Sequence, residues 1–494
     1  MHKIDELSLF CFIVQMNLTL QEIEKLNELG THVYKMVFFT RDFIIVPIIL
    51  FLIIWLLNKT KESQPLVLQK YYLKGYYFRL LMIPLFLFQH VVLYPWGVDA
   101  FNYFWASDQL IQLVKVKPSV AWFVLTHSVD TLQNFPFNFD LNEFYFKDNE
   151  SFLVKITFII NLLIGNSFLG SSLIASFYAY IGTWKIYKIL NQNYPGHEKI
   201  LFFSTVLLPS VAFWSSISAK EAYCIGAMGF VYYALTRMFE HKEYTRKNIL
   251  IFFINAIMLF YIKSYILIAL LASYSFFIII KSFNSIKSNV IKYVSLPATI
   301  ALLVFGLLKL MDSFQGQLQK FALKNILETI KTNYDYLTQE GFAASRYTLG
   351  ELSPDIGSMI KLVPASINVT LFRPYIWEAN KIMLLVASAE STLTLLLTLF
   401  VLFKARLFFF KIIFKERFLL MAMSFSLLFS AFIGITSGNF GTLMRYKIPM
   451  MPFYFSALAI IYILNKEKKS NESINQSINQ SINQSINQSI NQSN

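Results

Sequence analysis

Residues 382–403 read IMLLVASAESTLTLLLTLFVLF, an apolar run in which Glu390 is the only charged residue. An α-helix rises about 1.5 Å per residue, so a run of this length crosses the hydrocarbon core of a bilayer, which is roughly 30 Å thick. Apolar stretches of about this length with at most one charge are the main sequence signal of a membrane-spanning helix. The segment therefore predicts such a helix.

The rest of the chain follows the same pattern. Hydrophobic residues make up 56% of the 494 residues and charged residues only 15%, whereas soluble domains carry about a quarter. We predict an all-α, polytopic transmembrane helix bundle of about eleven spans. The other ten runs are Phe43–Asn58, Leu80–Gly97, Ser167–Trp184, Ile200–Ser216, Ser218–Thr236, Asn248–Ile262, Ser264–Ile280, Tyr293–Met311, Phe418–Thr436 and Ile448–Leu464.

The sequence divides into three parts. Residues 1–42 form an N-terminal segment of undefined structure, and residues 43–464 form the transmembrane domain. Residues 465–494 contain five copies of Ser-Ile-Asn-Gln beginning at Ser473. Such a low-complexity tail cannot bury a core and is expected to be disordered. The run Phe152–Gly165 is short and carries Lys155, which favours an interfacial or half-membrane helix.

The distribution of charge predicts the orientation in the membrane, because Lys and Arg accumulate in short cytoplasmic connections. Every second connection is basic, and together these hold 23 basic and 7 acidic residues. They are residues 58–79, 185–199, 237–247, 281–292, 404–417 and 465–494. The long loops 98–150 and 312–380 hold 9 basic and 14 acidic residues, so they are predicted to be extracytoplasmic and the C-terminus cytoplasmic.

This distribution also accounts for the formal charge of +14. No basic stripe with interleaved aromatic residues faces a soluble surface, so nucleic acid is not an expected partner. Membrane lipids are expected partners, with a secondary attraction of the basic loops to anionic headgroups. The sequence does not indicate an oligomeric state.

Within the second long loop, apolar residues recur at near-helical spacing and predict an amphipathic surface helix over residues 314–332. These residues are Phe314, Leu318, Phe321, Ile326 and Ile330. The following part contains Pro354, Gly357 and Pro364, and it is expected to be irregular as far as Asn368.

The first functional candidate lies in the stretch YPWGVDAFNY, residues 94–103, just beyond the second span. Asp99 follows the helix-ending Pro95 and Gly97, and Asp108 lies nine residues further on. A carboxylate at this position is a candidate general base for a hydroxyl acceptor. The alternative is that Asp99 caps an amphipathic helix over Phe101–Val114.

Cations at the outer ends of spans form the second group of candidates. Three of them have a structural alternative. Lys220 could form a local ion pair with Glu221, and Lys263 could extend to the headgroups. Arg373 could anchor the chain at the interface together with Trp377. The candidate ligands for a lipid phosphate are Lys220, Lys263, Arg373, Arg445 and Lys447. The candidate supporting residues are Glu221, Glu378, Glu390 and Asn439.

Glu390 falls within the predicted span Ile382–Phe403, among Ser388, Ser391 and Thr392. We expect a protonated carboxyl group that joins helices through hydrogen bonds, with a catalytic role as the alternative. The six histidines and two cysteines show no metal-ligand spacing, so a divalent cation remains only a candidate cofactor. Nucleotide-binding glycine motifs are also absent from the sequence.

Two stretches carry a resemblance to a known family: LPSVAFWSSISAKEA at residues 208–222 and GNFGTLMRYKIPMMPF at residues 438–453. Together with the layout of spans, they resemble the GT-C glycosyltransferases and bacterial envelope proteins related to O-antigen polymerases. In that superfamily an aspartate in the first extracytoplasmic loop serves the chemistry, and Asp99 occupies the corresponding place.

The resemblance implies an enzyme of the bacterial inner membrane. It would transfer sugar from a polyprenyl-phosphate donor at the extracytoplasmic face, in the synthesis of cell-envelope polysaccharide or glycoconjugate. Two alternatives remain open. An O-antigen or exopolysaccharide polymerase would depend more on arginines than on Asp99, and a transporter or flippase would use Glu390 as a coupling group.

Transfer from a lipid phosphate requires a base and preorganised cations within several ångströms of one another. We therefore expect Asp99 and at least two of Lys220, Arg373 and Arg445 to converge on one outward-facing cavity.

The predicted orientation is testable with topology reporters fused after Gln109, Asp335 and Lys469. The first two fusions should report an extracytoplasmic position and the third a cytoplasmic one, because basic connections are retained inside. An extracytoplasmic signal after Lys469 would overturn the orientation.

Overall fold

A computed structural model describes residues 38–93, 98–126, 148–284, 345–350 and 355–493, together with Glu328, Lys331, Thr332, Asp335 and Ser353. These residues are helical or connect helices, and among them no strand forms, so the predicted all-α class is confirmed. The run Tyr293–Met311 lies outside the described residues. The helix expected over 314–332 also lies outside them, except for three positions.

Five helices in the described part of the chain are long and apolar enough to cross a membrane. They are Asp42–Lys61, Leu66–Leu93, Arg246–Phe283, Ile382–Ala405 and Arg417–Ser437. Two bent helix pairs raise this number to as many as seven. They are Glu150–Ile164 with Phe168–Asn193, bent by 113°, and Phe440–Tyr446 with Met451–Gln484, bent by 68°. The chain is therefore a membrane protein by the length and composition of its helices.

The chain packs into two compact units. Unit 1 comprises the described residues up to Ile189 and those from Val206 to Ile268. Its helices are α1 (Asp42–Lys61), α2 (Leu66–Leu87, followed by a π-helical turn to Leu93), α3 (Asp99–Val116), α4 (Pro118–Thr126), α5 (Asp148–Ile164), α6 (Phe168–Asn193, to Ile189 in this unit), α8 (Pro209–Trp214), α9 (Lys220–Leu235) and α10 (Arg246–Asn284, to Ile268 in this unit). One short helix, α7 (Glu198–Thr205), belongs to unit 2.

Four predicted spans differ from the helices of the structure. Helix α2 begins at Leu66, so Lys70, Lys74 and Arg79, which were assigned to a loop, lie within a helix. The run Ile200–Ser216 is divided between α7 and α8, because Pro209 starts a new helix and has no N–H group to continue the first. Helix α10 covers the two predicted runs Asn248–Ile262 and Ser264–Ile280, and its backbone leaves helical geometry between them, at Lys263.

The short helix α5, expected to lie at the interface, is joined to α6 by a sharp turn. Gly165 and Asn166 both adopt positive φ, at +86° and +61°. Beyond the turn, the Ser167 hydroxyl accepts the N–H of Gly170 at 2.9 Å and satisfies a donor at the start of α6. Arg41 donates from Nε to the carbonyl of Asn166 at 2.6 Å, which fixes the turn against the start of α1.

Helices α6 and α9 approach closely enough for their backbones to touch. A Cβ atom placed on Gly182 would lie 2.4 Å from the carbonyl oxygen of Gly226, and one on Gly229 would lie 2.1 Å from that of Gly182. Small residues allow this approach, which lets close packing stabilise helix pairs where lipid provides no hydrophobic driving force. The helix that begins with Lys220 is thereby fixed in unit 1.

Unit 2 comprises Leu190–Thr205 and the remaining described residues from Ala269 onward. Besides α7, its helices are α11 (Ile356–Phe372), α12 (Ile382–Ala405), α13 (Leu407–Lys415), α14 (Arg417–Ser437), α15 (Phe440–Tyr446) and α16 (Met451–Ser493). Helix α14 packs against α11 and α16, and α16 also contacts α7 and α12.

Helix α11 corrects the expectation of irregular chain before Asn368, since it runs through Pro364. A proline inside a helix costs roughly 3 kcal/mol. Tertiary contacts offset this cost: the Thr370 hydroxyl donates to the Ser430 carbonyl at 2.9 Å, and Gly434 lies directly against the Ser366 backbone. The Asp355 carboxylate caps the first turn by accepting the N–H of Ser358 at 2.8 Å.

The C-terminal repeats also differ from expectation. Helix α16 continues through them to Ser493, where disorder was expected. The tail contains neither Gly nor Pro to end the helix, and its four-residue period is close to the helical repeat. Ile474, Ile478 and Ile482 are each about half exposed. The repeats therefore extend α16 without adding to a core.

The α6–α9 contact leads to a stability prediction. Gly182→Ala should lower the midpoint of thermal unfolding in detergent by several degrees, because overpacking costs about 1–3 kcal/mol and here the obstacle is backbone. Leu396→Phe adds more volume at a position 57% exposed and should leave the midpoint unchanged. Equal midpoints for the two variants would show that the helices are not in contact.

Candidate functional site

Hydrogen bonds and ring contacts group the helix termini of unit 1 into two ends. At one end, Gln64 accepts a hydrogen bond from Trp184 Nε1 at 3.0 Å, and Lys185 Nζ lies 4.4 Å from the centre of the Tyr233 ring. At the opposite ends of the same helices lie the start of α3 at Asp99 and the start of α9. We call this second region, with the charged residues described below, the Asp99 end.

Helix α3 begins at Asp99 directly after Val98, which has an extended backbone. A carboxylate in the first turn of a helix interacts favourably with the helix dipole, so the start of α3 suits an acidic residue. Asp99 is the first residue of α3, Val98 occupies the N-cap position, and the Asp99 side chain is half-buried. The structure therefore places the acid in the first turn of the helix, one position after the N-cap residue.

One turn further along α3, Tyr103 links to residues from two other helices. Its hydroxyl donates a short hydrogen bond to Glu150 at the start of α5. Burial raises the pKa of the Tyr103 phenol well above its usual value, and the carboxylates of Glu150 and Asp99 raise it further. The phenol therefore remains protonated and acts as a donor.

The other oxygen of Glu150 accepts a hydrogen bond from Lys220 Nζ at 2.6 Å. The two side chains are 13% and 19% exposed, for Lys220 and Glu150 respectively, so the pair is partly accessible. Lys220 is the first residue of α9 and Glu150 is 70 positions earlier in the chain. Lys220 thus pairs with a distant carboxylate and not with its neighbour Glu221.

Glu221 instead pairs with Lys263, at 2.9 Å between Oε1 and Nζ. This ion pair is buried, with side-chain exposures of 2% and 8% for the glutamate and the lysine. Lys263 reaches the pair from the point where α10 leaves helical geometry. It therefore does not extend to the headgroups, because its charge is compensated inside unit 1.

Asp108 lies on the opposite side of α3 from Asp99, since nine residues turn a helix by about 900° and advance it by roughly 13 Å. The Asp108 carboxylate is buried. It accepts one short hydrogen bond from the side-chain amide of Asn166 and another, of 3.3 Å, from Gln112 Nε2. Asn166 belongs to the turn between α5 and α6. In this structure Asp108 stabilises that turn, on the opposite side of α3 from the other catalytic candidate, Asp99.

In unit 2, Arg373 makes a bidentate ion pair with Glu378, with Nε 3.1 Å from each carboxylate oxygen. The N–H of Tyr375 also donates to Glu378 at 2.7 Å. Burial on its own would raise the pKa of Glu378, but these hydrogen bonds outweigh it and hold the pKa below its usual value. The guanidinium lies 5.4 Å from the centre of the Phe440 ring.

A serine connects this pair to a buried lysine. The Ser391 hydroxyl donates to the carbonyl oxygen of Arg373 at 3.0 Å and accepts from Lys447 Nζ at 3.1 Å. Glu390 interacts electrostatically with Lys447 and is half-buried. The predicted supporting residue Glu390 thus lies near a predicted phosphate ligand of the same unit.

Asn439 has a structural role at the start of α15. Its side chain accepts the N–H of Gly441 at 2.7 Å and the hydroxyl of Ser345 at 3.1 Å. An isolated bridge with Arg346 holds the same residue. Arg445, further along α15, is half-buried.

The structure therefore brings the candidates together in two sets. Asp99, Lys220, Glu221 and Lys263 lie at one end of unit 1, while the other cations belong to unit 2. The expected convergence of Asp99 with Arg373 or Arg445 stays a prediction. Among the described residues, no group of three or more His, Cys, Asp and Glu side chains could hold a metal ion. A divalent cofactor thus gains no support from this part of the chain.

Three functional candidates were missed from the sequence. Tyr103 is four residues after Asp99, a spacing that places both on one helix face, so it could have been found. Glu150 could not have been found from the sequence, because it contacts Lys220 only in the folded chain, across 70 positions. Arg79 was assigned to a loop but is fully buried, donating to the hydroxyls of Ser215 at 2.6 Å and Thr183 at 3.4 Å.

No family model, curated protein or solved structure matches this chain.

The buried pair gives a prediction for stability. Lys263→Met should lower the free energy of unfolding by about 3–5 kcal/mol, because it leaves the Glu221 carboxylate buried without its cation. The double variant Lys263→Met/Glu221→Leu should recover most of this loss, since no charge then remains buried. The midpoint of unfolding in detergent measures both effects.

Lys468→Met is the matched control, because the Lys468–Glu472 pair is at least half exposed on both sides and should contribute little. If the double variant is less stable than Lys263→Met, the two side chains are not a compensating pair.

Proposed function

We propose that this chain is a membrane glycosyltransferase that takes sugar from a polyprenyl-phosphate donor at the extracytoplasmic face. One observation carries the proposal: at the Asp99 end of unit 1, the half-buried Asp99 carboxylate acts electrostatically on Tyr103, whose hydrogen-bond partner Glu150 also pairs with the partly accessible Lys220. Transfer from a lipid phosphate needs these two functions, a base for the acceptor and a cation for the leaving phosphate.

The proposed topology has about eleven spans, with the C-terminus in the cytoplasm of a bacterium and the chain in its inner membrane. The Asp99 end then faces outward, and the basic connections near Gln64 and Lys185 face inward. The internal contacts of unit 1 support this arrangement, because they separate the same two sets of termini that the charges separate.

In the proposed reaction, Asp99 accepts the proton of an acceptor hydroxyl, and the hydroxyl oxygen bonds to the anomeric carbon of the sugar. The bond from that carbon to the phosphate oxygen breaks, and its electron pair stays on the lipid phosphate. Lys220 stabilises the negative charge on this leaving group. To do so it exchanges the Glu150 carboxylate for the phosphate, while Glu150 keeps its hydrogen bond from Tyr103.

The buried Lys263–Glu221 pair has a separate role in the proposal. It positions the first turn of α9, and hence Lys220, without contacting the donor, because both side chains are almost fully buried. Lys220 and Lys263 therefore differ in function although both are cations at the same end of unit 1.

Asp99→Asn tests the proposal. It should lower glycan transfer at least 100-fold, the lower bound of what a general base contributes, while expression and membrane insertion remain normal. Transfer from a polyprenyl-phosphate sugar to acceptor is measured in membranes from cells that produce each variant.

Asp355→Asn is the matched control, since asparagine caps a helix as well as aspartate does. Near-normal transfer by Asp99→Asn would contradict the assignment of the base and favour the polymerase. Absence of transfer by the parent chain, together with transport that depends on Glu390, would favour the transporter.

A further inference from the structure

Helix α13 differs from the long helices beside it in that it exposes two distinct stripes next to one buried face. Its residues read LFFFKIIFK. Phe409 and Ile412 are buried and face the protein. At about 100° per residue, the remaining positions fall into adjacent groups, one apolar and one basic.

The apolar stripe consists of Leu407, Phe410 and Phe414, which are 84%, 56% and 63% exposed. The basic stripe consists of Lys411 and Lys415, also exposed, and begins about 40° further round the helix. This arrangement is typical of helices that lie along a membrane surface, with the apolar side in the acyl chains and the cations at headgroup level.

The connection from α12 allows such an orientation. Helix α12 ends at Ala405, and Arg406 adopts a φ of +49°, which interrupts the helix before α13 begins. A residue other than glycine rarely adopts this conformation. The chain thus leaves the direction of the long apolar helix at a defined point.

Further cations surround α13 within unit 2. Residues 404–417 and 466–472 together hold eight basic and three acidic side chains. The two segments are in contact, because Asn465 donates to the Lys404 carbonyl at 3.3 Å and Lys468 Nζ lies 4.9 Å from the centre of the Phe408 ring.

The three acidic side chains of these segments contact partners outside α13. Glu467 pairs with His197 at 2.8 Å, Glu472 with Lys468 at 3.5 Å, and Glu416 accepts the hydroxyl of Tyr194 at 3.5 Å. The positive charge of α13 is therefore not neutralised by these carboxylates.

We propose that α13 is a binding site for anionic phospholipid headgroups, with Lys411 and Lys415 contacting the headgroup phosphate and Leu407, Phe410 and Phe414 immersed among the acyl chains. Charge complementarity selects an anionic lipid over a zwitterionic one. The apolar stripe beside the lysines favours a lipid over a soluble anion, because only the lipid has acyl chains that can contact the stripe. This site does not depend on the glycosyltransferase proposal.

Thermal unfolding of the full chain in neutral detergent tests the site, with dioleoyl phosphatidylglycerol or dioleoyl phosphatidylcholine added to the micelles. Phosphatidylglycerol should raise the midpoint by several degrees more than phosphatidylcholine. Each cation near an anionic surface strengthens lipid binding by about fivefold. In Lys411→Gln/Lys415→Gln, the mole fraction of phosphatidylglycerol needed for half of this effect should therefore rise at least fivefold.

Two matched double variants complete the experiment. Lys411→Arg/Lys415→Arg keeps the charge and should retain the effect, whereas Lys59→Gln/Lys70→Gln removes two exposed cations of unit 1 and should also retain it. The proposal is overturned if the Lys411/Lys415 glutamine variant responds like the parent chain or if the Lys59/Lys70 variant loses as much. It is also overturned if inorganic phosphate alone gives the same increment.

Discussion

A charged side chain withdrawn from water must find a partner within the protein, and this requirement organises the described structure. The Lys263–Glu221 pair shows it most directly, because two residues from different helices of unit 1 compensate each other where water is excluded. Each charge would be costly if it were buried alone. Neither helix can therefore move away without leaving the charge on the other helix uncompensated. The position of α9 follows, and with it the position of Lys220.

The same requirement is met differently by Arg79 and Arg373. Arg79 is fully buried and donates to two hydroxyls, while Arg373 holds both oxygens of Glu378. A guanidinium presents several donors in one plane, so two of its nitrogens can donate to neutral hydroxyls, as in Arg79, as well as to a carboxylate, as in Arg373. Lysine pairs as a point charge, which suits Lys220 to an exchange of one anion for another.

The sequence predicted features that depend on composition and local order. The all-α class and the apolar helices of unit 1 and unit 2 follow from runs of apolar residues, and the non-helical backbone at Lys263 falls at the charge between two of these runs. Contacts distant in sequence could not be predicted. The Glu150–Lys220 pair joins residues 70 positions apart, and α11 persists through Pro364 because α14 packs against it. The structural role of Asp108 could not be predicted for the same reason, because its hydrogen-bond donor Asn166 is distant in the sequence.

The helical tail has a geometric consequence. A four-residue repeat exceeds the helical turn of 3.6 residues, so each Ser-Ile-Asn-Gln unit rotates its isoleucine by about 40° and lengthens the helix by roughly 6 Å. From Ile474 to Ile482 the isoleucines drift by about 80° around the axis. A straight neighbouring helix could follow such a spiral for only a few turns. Gaining or losing a repeat would therefore change the reach of the tail without creating a continuous apolar seam.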